Sequence, residues 1–424
     1  MELWLDLAAR EQPDAPAVNG ITYAALSAQA DAWALELLDK GVRPGGRVAI
    51  GFGGVDFARI LHALPRVGAV LVPINTRLTR REREAFLASA QPTLVLDSPL
   101  EDREREVDPG YRGQLLSRAD PGSVFAVVHT SGTTGQPKPV ELSYGNFEAS
   151  ALASAEQLGV EPDDRWLCCM PLFHVGGLSI LTRSAINRTE AVIHERFDTE
   201  KVLRALEEEG ITLISLVATQ LRRLLDAGLE APPDLRAALI GGGPVPADLL
   251  KRAEQVAVPV VPTYGLTETC SQVWTGRPLP GAEIVNGRGG ELLIRGPMVA
   301  PKALAEDGWL HTGDRGRIEE DGTLTVQGRI ADTIVTGGEN VAAAEVEEAL
   351  ISHPLVDDVA VVGRPDPEWG EAVTAFVVGS ADPDDLRAHA RERLAGYKLP
   401  RQINRIDQIP RNAAGKIQRG RLPE

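Results

Sequence analysis

Short runs of β-branched and aliphatic residues recur along most of the chain, and apolar positions at helical spacing fill the stretches between them. The runs predict strands over Val48–Phe52, Ala69–Ile74, Thr93–Asp97, Val124–His129, Trp166–Met170, Ala191–His194, Thr212–Val217 and Ala237–Ile240. Val256–Val261 is a weaker strand, because Pro259 cannot donate to a ladder. Helical spacing covers Tyr23–Leu38, stopping before Gly41, and the stretch from Asp198 to Glu209, where Asp198 serves as N-cap and Gly210 as terminator. A third helix follows Thr219, with Leu221, Leu224 and Leu225 on one face. Strands alternating with helices in this way make an α/β body.

The rhythm breaks near Arg277–Ile294, where Gly and Pro become dense and strand–turn patterns take over. From about Gly328 a separate unit follows: helix Ala343–Ile351, strands Asp358–Val362 and Ala372–Val378, and helix Asp384–Leu394. The expected architecture is a large N-terminal body of α/β subdomains plus a β-rich segment (1–327), with a small mobile C-terminal α+β domain (328–424).

Composition narrows the function. Forty-four Lys and Arg against 60 Asp and Glu leave a net charge of −16, which disfavours a bulk grip on nucleic acid or anionic membrane. A small phosphorylated ligand needs only a few placed donors and stays open. The three cysteines Cys168, Cys169 and Cys270 cannot build a disulfide framework and match no metal-binding spacing. No basic n-region opens the chain, and no apolar run approaches the ~20 residues that span a bilayer. A cytoplasmic protein with no membrane insertion is expected; a homo-oligomer stays open.

Residues 129–139 read His-Thr-Ser-Gly-Thr-Thr-Gly-Gln-Pro-Lys-Pro directly after a strand. Glycines and small hydroxyl residues expose backbone N–H groups and Lys138 adds a cation, the make-up of a loop that wraps phosphates. It is not a Walker A loop, and by composition alone it reads equally well as a polar turn. The order Ser-Gly-Thr-Thr-Gly-Gln-Pro-Lys, however, resembles the phosphate loop of the adenylate-forming superfamily of acyl- and aryl-CoA ligases, luciferases and peptide-synthetase adenylation domains. Further motifs of that superfamily follow in its order. They are Gly241-Gly242-Gly243-Pro244 after a strand, Tyr264-Gly265-Leu-Thr267-Glu268, Thr312-Gly-Asp314, Gly328-Arg329, Gly337-Gly338-Glu-Asn, and Pro-Arg-Asn-Ala-Ala-Gly-Lys416. The chain departs from the pattern at Pro139, at Ser143-Tyr144, and at Ala331, where an Asp or Lys pivot is usual.

The resemblance implies an ATP-dependent acid–CoA ligase working through an acyl-adenylate, with Mg²⁺ as metal and CoA as co-substrate. It implies a nucleotide site built by Thr130, Ser131, Gly132, Thr133, Thr134, Gly135, Lys138, Gly241, Gly242, Gly243, Pro244, Thr263, Tyr264, Gly265, Asp314 and Arg329. Glu268 would hold the metal, since one carboxylate plus phosphate oxygens and water satisfies Mg²⁺, and Thr267 would sit beside it. Asp314 suits a ribose diol, and Lys416 would deliver positive charge to the α-phosphate during acid attack. Gly328, Ala331, Gly337 and Gly338 would form the hinge and the CoA-side loop.

Two stretches narrow the branch. Met-Pro-Leu-Phe-His-Val-Gly-Gly-Leu-Ser-Ile-Leu-Thr-Arg at 170–183 and Thr-Glu-Thr-Cys-Ser-Gln at 267–272 resemble the o-succinylbenzoate–CoA ligases of menaquinone synthesis. Other acyl- or aryl-CoA ligases (medium-chain, malonyl or benzoate type) and an inactive nucleotide-binding homologue are the alternatives. Gly176 and Gly177 open a helix that places Ser179 and Arg183 one turn apart on one face. Arg183 is a candidate partner for a substrate carboxylate, and equally for a structural acid. His174, Ser179, Ser271 and Gln272 complete the candidate acid pocket, and Cys270 reads as a small buried residue.

Overall fold

Strands buried on both faces must be apolar throughout, and the unbroken Val/Ile/Leu/Ala runs of the sequence form such strands. The computed structural model describes residues 1–101, 113–131, 137–243, 245–336, 339–411, 415 and 417–423. They form two compact units, one comprising Met1–Val245, Leu249–Glu283 and Arg295–Gly308, the other Pro246–Asp248, Ile284–Ile294 and Trp309–Glu424.

The first unit holds two mainly parallel sheets. One runs in the order Leu94–Leu96, Arg47–Ile50, Val70–Pro73, Val124–Ser131 and Pro137–Ser143, with the last strand antiparallel at the edge. The other has Arg165–Cys168, Leu213–Leu216 and Ala237–Ile240 at its centre. Its rims are antiparallel: Val260–Leu266 pairs with Ser271–Thr275, and Pro16–Val18 with Ile21–Thr22. Helices pack on these sheets. Tyr23–Asp39 buries Tyr23, Trp33 and Leu37, while Thr199–Glu208 is capped by Asp198, whose carboxylate accepts the Lys201 N–H at 3.1 Å. One large apolar cluster joins Trp33, Phe57, Phe125, Phe147 and Trp166, and a second packs Leu206, Leu221, Leu224 and Ile240.

In the second unit, a four-stranded antiparallel sheet contains Glu291–Arg295, Leu310–Ile318 and Leu324–Arg329. A five-stranded sheet follows, in which the long hairpin of Val356–Asp366 and Gly370–Gly379 puts Val356–Asp366 at one edge, and Gln402–Arg405 pairs in parallel with Gly370–Gly379. Helices Ala343–Ile351 and Pro383–Arg391 bury Val346, Leu350, Leu386 and Ala390 in its core. The α/β fold class expected from sequence is the one observed.

Two local differences have physical reasons. The strand read at Val256–Val261 starts only at Val260, one residue past Pro259, and then continues through Pro262 to Leu266. The glycine-rich stretch read as a loop after His129 is flanked by an antiparallel hairpin in which Thr130 faces Lys138 and Ser131 faces Pro137. Pro137 and Pro139 fit there because the strand lies at a sheet edge, where alternate N–H groups have no ladder to join.

Candidate active site

In the first unit, the Tyr-Gly-Leu-Thr-Glu segment ends one rim strand and turns directly into the next. Thr267–Thr269 forms a single 3₁₀ turn, after which Cys270 and Ser271 hold φ of 54° and 95°. Two consecutive non-glycine residues in that region are strained and persist only where surroundings over-determine them. Here the Thr269 hydroxyl accepts the Leu266 N–H at 2.8 Å and lies 2.9 Å from the Ser271 carbonyl oxygen. The Ala300 N–H bonds the Glu268 carbonyl at 2.7 Å. A Cβ at Gly265 would lie 1.8 Å from the Ser271 carbonyl oxygen, so only glycine permits this crossing.

The outcome is a half-buried Glu268 whose carboxylate has no hydrogen-bond or ion-pair partner among the described residues, beside a half-buried Thr267. No group of three or more His, Cys, Asp or Glu side chains able to hold a metal occurs among the described residues. A cation here would therefore rest on one protein carboxylate and on ligand oxygens, which is the donor set Mg²⁺ accepts with phosphates and water. Glu268 fits that role.

Beneath this turn lies the buried group. Helix Val175–Asn187 starts at His174 and carries Ser179 and Arg183 inward, both about 2% exposed or less. The Ser179 hydroxyl donates to the Cys270 carbonyl at 3.5 Å, and so does that of Ser150 at 3.0 Å. The Arg183 Nη2 donates to Ser150 Oγ at 3.2 Å, and the guanidinium stands 5.6 Å from the Trp166 ring centroid. Its Nε has no partner, and no carboxylate among the described residues pairs with it. Burial pushes Arg183 well below an ordinary arginine, to about 10. Gln272 donates to Ser154 Oγ at 2.7 Å. Ser271 is half-buried at the start of its strand. Burial lowers His174 to about 4, with Arg77 adding in the same direction, so its ring is neutral at pH 7. Burial likewise raises all three cysteine thiols, which packs them as inert apolar groups.

The other motif residues of this unit sit at strand ends. Gly241, Gly242 and Gly243 follow strand Ala237–Ile240, and the Thr263 hydroxyl donates to the Ile240 carbonyl at 3.2 Å. Tyr264 is half-buried on the adjacent strand. The Thr130 hydroxyl donates to the Lys138 carbonyl at 3.4 Å, and the Lys138 side chain is exposed. Sequence reading missed three residues of helix Tyr144–Leu158: Ser150, which bonds Arg183 and the Cys270 carbonyl, Ser154, which bonds Gln272, and Asn146. Their signal was a run of small and polar residues at i, i+4, i+8 on a helix otherwise rich in alanine. Ser143 caps that helix by exchanging bonds with Asn146, whose Nδ2 also donates to the carbonyls of Pro297 and Val299.

In the second unit, the register of two antiparallel strands sets Asp314 opposite Arg329, and Nε pairs with Oδ1 at 2.8 Å. Arg329 also donates to the Thr312 carbonyl at 2.7 Å, while the Thr312 hydroxyl accepts the Asp314 N–H at 3.0 Å. Asp314 is thus held rigidly with its carboxylate already charge-paired. Gly328 has φ 125° and Ala331 lies in a 3₁₀ turn, Ile330–Asp332. Gly132, Thr133, Thr134, Gly135, Pro244, Gly337, Gly338 and Lys416 lie outside the described residues.

The AMP-binding enzyme family model matches residues 5–302, and the model of the AMP-binding enzyme C-terminal domain matches 345–416. The chain belongs to the AMP-binding enzyme family. A 2-succinylbenzoate–CoA ligase of Bacillus cereus is 36% identical over 471 residues, covering 100% of this chain and 98% of the relative. Among solved structures, the o-succinylbenzoate CoA synthetase of Bacillus subtilis in complex with the acyl-adenylate OSB-AMP superposes with TM-score 0.92 at 33% identity, covering 100% of this chain and 98% of that one. The same synthetase in complex with ATP and magnesium gives TM-score 0.90 at 33% identity, covering 100% and 99%. ATP-bound MatB from Rhodopseudomonas palustris gives 0.86 at 25% identity, covering 99% and 98%. No helix among the described residues is long and apolar enough to cross a membrane.

Proposed function

We propose that this chain is an ATP-dependent 2-succinylbenzoate–CoA ligase. One carboxylate of the acid attacks the α-phosphorus of ATP, the P–O bond to the leaving group breaks, and acyl-adenylate and pyrophosphate result. The CoA thiol, losing its proton, then attacks the acyl carbon and expels AMP. The full-length likeness to ligases of that name supports the reaction, and the buried Arg183 supports the substrate. 2-Succinylbenzoate carries a second carboxylate that is not activated, and burying it without a donor would be costly. A fixed guanidinium fork that no acid among the described residues meets, beneath the 267–272 turn, suits it.

Each remaining residue takes a definite part. Glu268 holds Mg²⁺, which when bound neutralises phosphate charge, and Thr267 beside it donates to phosphate oxygen. Thr130, Ser131, Gly132, Thr133, Thr134, Gly135 and Lys138 enclose the phosphates. Gly241–Pro244, Thr263, Tyr264 and Gly265 form the adenine side. Asp314 accepts from the ribose hydroxyls with Arg329 fixing its orientation. His174, Ser179, Ser271 and Gln272 line the acid, and Lys416 stabilises the charge growing on the α-phosphate during the first step. Gly328 and Ala331 take the hinge role, and Gly337 and Gly338 the CoA-side role in the second half-reaction.

ATP–pyrophosphate exchange with a panel of acids tests this reading. Exchange with 2-succinylbenzoate should exceed exchange with malonate, hexanoate or benzoate. A stronger signal with one of those acids overturns the substrate and leaves the ligase class standing. No exchange with any acid in the panel, while ATP still binds, identifies an inactive nucleotide-binding homologue.

A further inference from the structure

Helix Tyr144–Leu158 brings to the candidate acid pocket a side chain that no motif assigns. Ser150 is 2% exposed and joins two elements at once: its Oγ accepts from Arg183 Nη2 at 3.2 Å and donates to the Cys270 carbonyl at 3.0 Å. The direction of both bonds is fixed by the atoms present. An arginine offers only donors and a carbonyl only acceptors, so the single hydroxyl proton lies on the Cys270 oxygen and a lone pair faces the guanidinium. The bond from the charged donor is charge-assisted, and a hydroxyl polarised in this way donates more strongly in turn.

Arg183 depends on this contact. Among the described residues Ser150 Oγ is the one polar atom that bonds it, its Nε has no partner, and Trp166 offers the guanidinium a ring face but no hydrogen bond. That ring is itself held by its N–H, which donates to Ser215 Oγ at 3.1 Å. An arginine side chain is long and rich in rotamers, so a fork held by one bond stays aimed at a ligand only while that bond stands. The helix that carries Ser150 is anchored as well. Ser143 and Asn146 close a capping box at its start, and Asn146 Nδ2 donates to the Pro297 and Val299 carbonyls at 2.8 and 3.0 Å. The next residue, Ala300, donates its N–H to the Glu268 carbonyl at 2.7 Å. Helix, segment 297–300 and turn 267–270 thus form a closed circuit, and the Ser150 bond to Cys270 is its last link.

We propose that Ser150 is a positioning residue for acid selection: its hydroxyl, oriented by the Cys270 carbonyl, fixes the Arg183 fork for the second carboxylate of the acid. The proposal rests on the reading of Arg183 as the partner of that carboxylate. Hydrogen bonds that involve a charged group set the size of the effect, roughly 10- to 100-fold in affinity.

The test uses the full chain with Ser150→Ala, Ser150→Thr, Arg183→Met and the Ser150→Ala/Arg183→Met double variant. Each is assayed by ATP–pyrophosphate exchange over a range of 2-succinylbenzoate and of ATP concentrations. Ser150→Ala should raise KM for 2-succinylbenzoate roughly 10- to 100-fold, with KM for ATP within about twofold of the parent. Ser150→Thr keeps the hydroxyl and should recover most of the loss. In the Arg183→Met background, Ser150→Ala should add no more than about a further twofold, because the group it positions is gone. If Arg183→Met raises that KM while Ser150→Ala leaves it at the parental value, the proposal fails and the reading of Arg183 stands. If Arg183→Met itself keeps the parental KM, both fail. A Ser150→Ala change that loses as much in both backgrounds, raises KM for ATP in parallel, or leaves the chain unfolded makes Ser150 a fold residue only, and overturns the proposal.

Discussion

Arg183→Met is the substitution that most directly separates a substrate contact from a fold contact. In the free protein the guanidinium is about 2% exposed and burial holds it near 10, a depression corresponding to roughly 3 kcal/mol against the charged form. Its compensation is one hydrogen bond to Ser150 and the face of Trp166, together worth about 2–3 kcal/mol when desolvated. Methionine fills nearly the same volume with no charge, so the free enzyme should change in stability by no more than about 1 kcal/mol in either direction. Substrate binding should change far more. Removing one partner of a buried charge pair typically costs about 2–5 kcal/mol, so KM for 2-succinylbenzoate should rise at least ~30-fold.

The assay pairs steady-state kinetics with thermal melts. KM for ATP should stay near the parental value, and the rise in Tm that 2-succinylbenzoate gives the parent should largely vanish in the variant. Arg183→Lys keeps the charge but loses the planar fork and should fall between the two. A KM for 2-succinylbenzoate within about twofold of the parent, combined with a loss of more than about 2 kcal/mol in the free protein, would refute the reasoning. Arg183 would then be a core residue with no part in holding substrate.

Three further outcomes test other parts of the molecule. Gly265→Ala must separate strand Val260–Leu266 from the Ser271 carbonyl, which a Cβ would approach to 1.8 Å; it should cost about 3 kcal/mol or more and abolish exchange, and an active, normally stable variant would contradict the close crossing. Ala331→Pro fixes φ near about −65° and restricts Ile330 as well. It should impair CoA transfer from supplied acyl-adenylate more than acid activation, whereas an unaltered ratio of the two rates would shift the pivot to Gly328. Burial raises the Glu347 carboxyl from 4.5 to about 7, with Arg419 opposing. The folded unit therefore keeps a proton the unfolded chain has released between those values, and the associated stability is present below pH 4.5 and lost as pH rises through about 7. Hydrogen exchange in strand Val356–Asp366 should quicken over that window in the parent, and Glu347→Gln should flatten the dependence.

Most of the fold was legible because its causes are local. Parallel strands such as Leu213–Leu216 and Ala237–Ile240 are buried on both faces, so they must be spelled in unbroken apolar runs. Helix Ala343–Ile351 was legible to the residue, since its apolar positions Val346 and Leu350 repeat at helical spacing. Strand Val260–Leu266 was not. Its second half, Thr263 to Leu266, is polar and glycine-bearing, and it extends only because Ser271–Thr275 folds back beside it across a bulge. Local propensity carries no trace of a partner that arrives through two left-handed residues.

The same division runs through the candidate site and explains why one half of the chemistry reads more easily than the other. In the proposed reading phosphates and ribose are handled by contiguous segments, in which a glycine, a hydroxyl and a charge follow one another in order, so a linear motif records them. In the proposed reading the acid is handled by juxtaposition. Arg183 comes from one helix, Ser150 and Ser154 from another, Trp166 from a central strand, and the Cys270 carbonyl from a strained turn. None of these spacings is informative alone, and Arg183 by itself reads as well as a structural ion pair. Only when the elements are packed does the decisive feature emerge: a nearly fully buried guanidinium with no acid among the described residues to meet it. Desolvating a charge without a counter-charge opposes folding. An anion supplied from outside the chain would offset that penalty on binding, and on the proposed reading the disfavoured charge then contributes to affinity for an acid with a second carboxylate. The residue proposed to distinguish the acid is thus one that the described residues leave without a counter-charge.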